Sequence, residues 1–584
     1  MRRYLAYCLL ALLTASTAYA ETTTPEPRPI ADFALPDFRG KTWRLADVAD
    51  RKVVVVAFLG VECPLAKLYG PRLQKLAAEF DKRGVAVIGI DANSQDSITE
   101  LAAFARTHAI AFPLLKDPGN RVADRFDARR TPEVFVLDHE HHVRYRGRID
   151  DQYGIGFVRD KPQREDLRIA VEELLAEKPV SQPETSPPGC LIGRVHQPKA
   201  DGSVTYSNQI ARLLEKRCVE CHRAGEIGPF ALTSYDEVAG WAAMIGEVVA
   251  EGRMPPWHAD PKYGHFTGDR RLSSDEQQLV RQWVADGAPE GDRSELPPTA
   301  TYLASGWNLP REPDLVVPMS EKVFVVPAEG AIRYQHFVAD ASLKEDKWLA
   351  AVEVRPGNRS VVHHVLVFAT DKKSGGKQVE EGGTAGFLAA FVPGMRPAAF
   401  PSGMAKRLPA NSKLVFQVHY TPNGSPQLDC SELGLVFVDP ESVKYEVRTA
   451  SAVQHQLNIP PGEADYRVDA RSQAAPIDVE LLSLMPHLHL RGKAFHFEAI
   501  YSGGRREVLL DVPRYDFNWQ TAYRLAEPKT LPAGTRIEAV AHYDNSADNP
   551  SNPDPTKTVH WGPQTWDEMM IGYFDIAYRR SSAK

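Results

Sequence analysis

Two cysteines and a histidine crowd into Cys218-Val219-Glu220-Cys221-His222, the most chemically loaded stretch of this sequence. Thiols at that spacing can add to the two vinyl groups of a haem c, while the adjacent imidazole ligates its iron. A C-x-x-C can also hold zinc, but zinc needs two further ligands at short spacing, and no second C-x-x-C lies nearby. Downstream, Arg253-Met254-Pro255-Pro256-Trp257 offers the Met254 thioether as distal iron ligand. His258 and His265 are the alternatives and would lower the potential.

Imidazoles pair up farther along. His363 and His364 are adjacent in the apolar run Val361–Val367, and His419 falls in the alternating run Lys413–Tyr420. His487-Leu488-His489 is an i, i+2 pair, a spacing that predicts both rings on one face of a strand. Imidazole suits copper, and two rings on one face can share an ion. In Asp567-Glu568-Met569-Met570, Met569 adds a soft thioether suited to Cu(I), with Met570 the alternative register. Taken singly, His496, His542 and His560 read as incidental strand residues.

Cys63 is a third kind of chemistry. It follows the continuous apolar run Val53–Leu59 and precedes a helical pattern over 65–83, and a thiol at a helix N-terminus has a lowered pKa and thiolate character. It can attack a disulfide or a peroxide, with Cys190 as resolving partner. A structural Cys63–Cys190 disulfide, or a redox-silent docking module, is the alternative.

The elements that must position these residues fall into three groups. From 30 to 177 strand and helix alternate: strands over 53–59, 85–91, 131–138 and 143–148, helices over 65–83 and 97–108, an α/β layout with a mixed sheet. Residues 179–198 carry Pro183, Pro187 and Pro188 and read as a linker. An amphipathic stretch over 207–217 runs into the C-x-x-C-H, and a second helical pattern closes the region over 274–286. From 309 onward the helical period gives way to short alternating strands separated by Gly, Pro and Asn.

Each group resembles a known family. The strand order, Cys63 after the first long strand and Thr131-Pro132 before a later one resemble thioredoxin-like redoxins over 28–178. That resemblance implies a cis-proline loop at Thr131-Pro132 facing Cys63. The sequence departs from it at Ala66, where the second thiol of C-x-x-C would stand, and at Gly60, where a peroxiredoxin has threonine. The haem motif, the Met254 loop and the closing helix look like a small all-α cytochrome c domain over 199–292. The His-His doublet, the lone strand histidine, the H-x-H-x-x-G of His487–Gly492 and Asp-Glu-Met at 567–569 resemble, in that order, the copper type II ascorbate-dependent monooxygenases. This resemblance implies two tandem jelly-roll β-sandwiches, at 309–445 and 450–584. It also implies two coppers, one for electron transfer on His363, His364 and His419, one for oxygen activation on His487, His489 and Met569. The animal family members carry several disulfides; this half has only Cys430.

Composition bounds the rest. At 584 residues with 43% hydrophobic content the chain is multidomain and globular, and its net charge of −7 argues against nucleic acid. Met1-Arg2-Arg3, an apolar stretch and Ala18-Tyr19-Ala20 read as a cleaved leader over 1–20 containing Cys8, which predicts an exported protein, periplasmic or extracellular. No later run is long enough to span a membrane. The function expected is a copper monooxygenase that hydroxylates a C–H bond of an unidentified organic substrate with O₂. Electrons would come from an unidentified donor and be relayed by the fused haem. The alternatives are an electron-transfer or thiol-redox protein and a copper-handling protein without oxygenase activity.

Overall fold

The computed structural model describes residues 29–580 apart from 160, 200, 299, 303–305, 331, 371–383, 396 and 398. The leader expected over 1–20, with Cys8, lies outside the described residues. Among the described residues no helix is long and apolar enough to cross a membrane.

The first sheet has five strands in the order Leu114–Lys116, Val85–Asp91, Val53–Phe58, Glu133–Leu137 and Val143–Gly147. The first three are parallel and the last two antiparallel, a mixed sheet. Its central strand Val53–Phe58 is buried at every position, which is why it reads as an unbroken apolar run. The helix Pro64–Phe80 starts on a proline whose fixed φ and missing N–H suit a first helical turn. Helix Ile98–Thr107 opens on a Ser97/Glu100 capping box, and Asp166–Leu175 completes the covering layer. This is a thioredoxin-like α/β domain.

The segment 179–198, expected to be a linker, folds onto that domain instead. Cys190–Leu191 pairs antiparallel with Arg130–Thr131, setting Cys190 opposite Thr131. Ile192 is 2% exposed in the core beneath the sheet, and backbone bonds tie Pro183 and Thr185 to Arg146. Proline content predicted an extended chain; burial of Cys190 and Ile192 fastens that chain to a groove.

Helices follow. A wide π turn over Tyr206–Ile210 continues into Ala211–Arg217, and Tyr235–Ala239, Ala242–Ala250 and Ser274–Ala285 pack around the buried Trp241 and Trp283. The stretch 257–267 departs from the expected span of 199–292. Trp257 meets Tyr523 edge-on at 5.1 Å, Ala259 and Phe266 join the core of the last β-sandwich, and Asp260 and Thr267 bond the backbone of Asp511 and Arg524.

The rest is β. In the first half Gln335–Asp340, Lys413–Tyr420, Val362–Thr370 and Phe387–Phe391 form a four-stranded sheet in that order. The second half repeats the plan with Tyr466–Arg471, Arg536–Tyr543, Gly492–Ile500 and Arg506–Val512. The opposing sheets are not separate. Met404–Leu408 pairs in parallel with Tyr445–Val453, joining both halves into one eight-stranded sheet. The boundary expected between 445 and 450 therefore falls inside a strand. Two exposed sheet edges have been replaced by one pairing.

Candidate metal and thiol sites

Cys63 caps the N-terminus of Pro64–Phe80, fully buried, and its Sγ donates to the Thr131 carbonyl at 2.9 Å. Thr131-Pro132 is cis, and Cys190 reaches the same point from the opposite strand, so the two thiols hydrogen-bond each other. Both are free thiols here. Burial alone would raise the Cys63 pKa, but the Cys190 thiol, the Ala66 amide and Thr131 together bring it down to about 6. Cys190 is pushed up, first by donating to Cys63 and then by burial. One thiolate and one thiol is the arrangement that dithiol chemistry requires.

Cys218 ends the helix Ala211–Arg217, and Cys221 and His222 follow in a turn. The His222 Nδ1 bonds the Phe230 carbonyl at 3.0 Å; because a carbonyl only accepts, Nδ1 carries the proton and Nε2 is left with its lone pair. That is the tautomer an iron ligand needs, and burial lowers the His222 pKa. The donor set, two half-buried thiols beside this imidazole, fits a covalent haem. Of the expected distal ligands, Met254 and His258 line a large cavity described below, whereas His265 is exposed and its carbonyl bonds Ala526 in the last sandwich.

His363 and His364 sit on the strand Val362–Thr370, where an irregularity in the pairing with Lys413–Tyr420 brings His364 opposite His419. This bulge turns two adjacent residues, which would otherwise face opposite sides, toward one point. The ring Nδ1 atoms of His363 and His364 are 3.2 Å apart, and the ligand atoms of His363, His364 and His419 all lie within 4.8 Å of one another. The His419 Nδ1 is buried with no hydrogen-bond partner. These three residues can hold a metal ion.

His487 ends the strand Val479–His487, so His489 lies beyond it, in the turn before Gly492–Ile500, not on the strand face expected. The rings still converge, with centroids 5.2 Å apart. The His489 Nε2 is buried and unpartnered. Met569 packs with Met485, Ile571 and Tyr573 beside His487, whereas Met570 is fully buried in the sandwich core. Of the two methionines, Met569 is the one on the histidine side.

Burial lowers all five imidazoles of the two sets, His363 and His487 to about 4, so they are neutral at neutral pH. Neutral imidazole is the ligating form.

His363 and His419 of the first set line a cavity of about 1540 Å³ together with Met254 and His258, and the redoxin segment 153–159 forms another part of its wall. Phe517 lies between the two histidine sets, stacked on His363 at 4.8 Å and edge-on to His489 at 6.2 Å.

Two residues at these sites, Gln520 and Phe517, carry no sequence signal of their own, and a third, Glu568, stands only as the middle of the Asp-Glu-Met motif. Gln520 accepts from His487 Nδ1 at 2.7 Å, leaving Nε2 free, and Phe517 bridges the two sets. Glu568, fully buried, accepts from the backbone amides of His489 at 2.8 Å and Arg491 at 2.7 Å; burial raises its carboxyl to about 7. Only Glu568 could have been singled out, as the acid beside Met569.

Comparison with known proteins divides the chain. Residues 28–146 match the AhpC/TSA family. The thiol-disulfide oxidoreductase ResA of Halalkalibacterium halodurans is 29% identical over 107 residues, 18% of this chain and 59% of that protein. DBH-like monooxygenase protein 1 of Gallus gallus is 26% identical over 175 residues, 27% of each chain. Chloroplastic peroxiredoxin Q of Sedum lineare is 30% identical over 136 residues, 22% of this chain and 69% of that protein. The chain thus spans less than two thirds of the first two relatives. A crystal structure of a hypothetical protein from Sinorhizobium meliloti is 30% identical with a TM-score of 0.26, covering 29% of this chain and 93% of that one.

Proposed function

Residues 28–146 are an AhpC/TSA redoxin domain, and starting from that domain we propose that the whole chain is an exported, copper-dependent monooxygenase with a fused c-type haem. The reaction inserts one atom of O₂ into a C–H bond and reduces the other to water, consuming two electrons and two protons. The observation that carries this reading is the pair of buried histidine sets, His363/His364/His419 and His487/His489 with Met569, bridged by the Phe517 ring. The similarity to a DBH-like monooxygenase supports it. Export rests on the leader read over residues 1–20.

Copper, when bound, would supply one-electron transfer at the three-histidine set and oxygen activation at the histidine–methionine set. A haem on Cys218, Cys221 and His222 would supply electrons singly. The chain's own residues prepare these sites. Burial keeps the imidazoles deprotonated, Gln520 fixes the proton of His487 on Nδ1, and Glu568 holds the turn carrying His489. The wide cavity admits an organic substrate next to His363 and His419, and Phe517 in its wall reaches His489.

Metal analysis of haem-matured protein, followed by incorporation of labelled O₂ in a substrate screen, tests this. One iron and two coppers per chain with label in a hydroxylated product is the expected result. Protein that takes up haem but no copper when offered it would overturn the oxygenase reading.

A second activity has its own observation. Cys63, with a pKa of about 6, beside the protonated Cys190, supports thiol–disulfide exchange in the redoxin domain. Exchange with a partner disulfide would join the sulfurs of Cys63 and Cys190 and break the partner's S–S bond, the partner leaving as two thiols with the two electrons and the protons.

A further inference from the structure

The redoxin domain carries an element that its thiols do not use. Beyond the matched residues 28–146, Tyr153–Gly154 and Phe157–Val158 pair as a short hairpin with Ile155-Gly156 at its turn. The base of the hairpin is fixed to the helix Pro64–Phe80. Asp150 accepts from the Tyr69 hydroxyl at 2.6 Å and pairs with Arg72, and Tyr153 meets the Tyr69 ring edge-on at 5.2 Å. The tip is fixed to the second β half, where Asn518 Nδ2 donates to the Gly156 carbonyl at 2.9 Å. Asn518 stands between Trp519 and Phe517, the ring that stacks on His363. The hairpin is thus a strut from the redoxin helix to the loop between the histidine sets. It forms part of the wall of the 1540 Å³ cavity, which neither Cys63 nor Cys190 lines.

The strut brings apolar side chains to that cavity. Ile155 and Val158 are 50% and 52% exposed, and both line it together with Phe157. Phe517, Trp519 and Trp566 belong to the same lining and offer flat faces for a ring. Exposed apolar side chains gathered at a cavity mark a place where a ligand lands. The charges there do not favour an ion. Eight Lys or Arg side chains in the lining stand against seven Asp or Glu, and Arg72–Asp150, Lys75–Glu329 and Arg253–Glu251 neutralise one another within it. We propose that the hairpin Tyr153–Val158 is the specificity-determining wall of the oxygenase cavity and selects a neutral substrate with an apolar, ring-sized body. This rests on the oxygenase reading above and gives it a substrate class. A molecule held against Ile155 and Phe157 shares its cavity with His363 and His419. The redoxin and β portions then form one binding unit, and altering the hairpin changes the cavity without touching a metal ligand.

The test uses the full-length, haem-matured protein and 1-naphthalenemethanol as a neutral two-ring probe, with affinity read by calorimetry. Ile155→Glu puts a charge on the exposed tip and should weaken probe binding by about tenfold. Asn518→Ala releases the tip and should weaken it severalfold; if Ile155→Glu fails to fold, Asn518→Ala decides alone. Val338→Glu, at a side chain 60% exposed outside the cavity, should keep wild-type affinity. Position is read separately, because Cu(II) loaded on the wild-type protein should speed relaxation of the probe's ring protons severalfold over the copper-free form. A wild-type protein that does not bind the probe, hairpin variants that bind it as wild type does, or probe protons that bound copper does not relax would overturn the assignment. Protein that takes up no copper would instead sink the oxygenase reading, and this assignment with it.

Discussion

His487 donates its Nδ1 proton to Gln520 Oε1 across 2.7 Å, and that bond decides which nitrogen of the ring is free. The amide is oriented in turn, because Gln520 Nε2 donates to the Phe517 carbonyl at 3.3 Å. A carbonyl that fixes a ligand's tautomer by accepting from its other ring nitrogen is generally worth about 10- to 100-fold in metal affinity. Gln520→Ala should therefore weaken copper binding at His487, His489 and Met569 by about that factor. Binding at His363, His364 and His419 should stay near wild type. Titration against a chelator of known affinity, reading the two sites separately, checks this.

Glu568 supports the same site from behind. Its carboxylate accepts from the amides of His489, Arg491 and Met569, all in buried residues. Glu568→Ala leaves three buried N–H groups unmatched, and at about 1–3 kcal/mol for each such group the variant should lose roughly 3–9 kcal/mol of stability. Glu568→Gln keeps an acceptor oxygen and should lose less. Urea unfolding of the metal-free proteins gives both values.

How far these sites were legible differs between residues. Cys63, Thr131-Pro132 and the strand Val53–Phe58 could be read because local pattern and burial coincide there. The histidine sets were legible as spacings, but the bulge that converges His363 and His364, and the end of the strand at His487, depend on register, which apolar periodicity does not encode. Gln520 and Phe517 lie in a loop, 33 and 30 positions from His487, and only the fold brings them near. Segment 179–198 was misread because proline content reports stiffness, whereas the burial of Cys190 and Ile192 is a tertiary fact. The parallel pairing of Met404–Leu408 with Tyr445–Val453 left no trace in either strand.

The redoxin thiols carry a pH signature. The Cys63 pKa falls to about 6 because hydrogen bonds from Cys190, Ala66 and Thr131 outweigh the opposing effect of burial. The folded pKa is below that of an unfolded cysteine, about 8.5. The stabilisation is therefore fully present above about pH 8.5 and lost as pH falls through 6. Thiolate absorbance followed against pH should show a transition near 6. In Cys190→Ala a donor is gone and burial dominates, so the transition should move up. Cys190→Ser retains a donor and should move it less.

The pairing of Cys190 with Thr131 depends on Gly189. Its φ of +114° lies in the region that disfavours side chains, and an added Cβ would sit 2.2 Å from the Thr131 carbonyl, the same oxygen that Cys63 Sγ uses. Gly189→Ala must therefore push the strand Cys190–Leu191 away from Arg130–Thr131, separating the two thiols and removing the contact that lowers the Cys63 pKa. Two results are expected together. Mild oxidation of the wild-type protein should yield a Cys63–Cys190 disulfide by peptide mapping, and in Gly189→Ala its yield should fall severalfold. The thiolate transition of the variant should also rise above 6, as in Cys190→Ala. A disulfide that still forms at the wild-type rate in Gly189→Ala would mean that the strand pairing does not hold the thiols together.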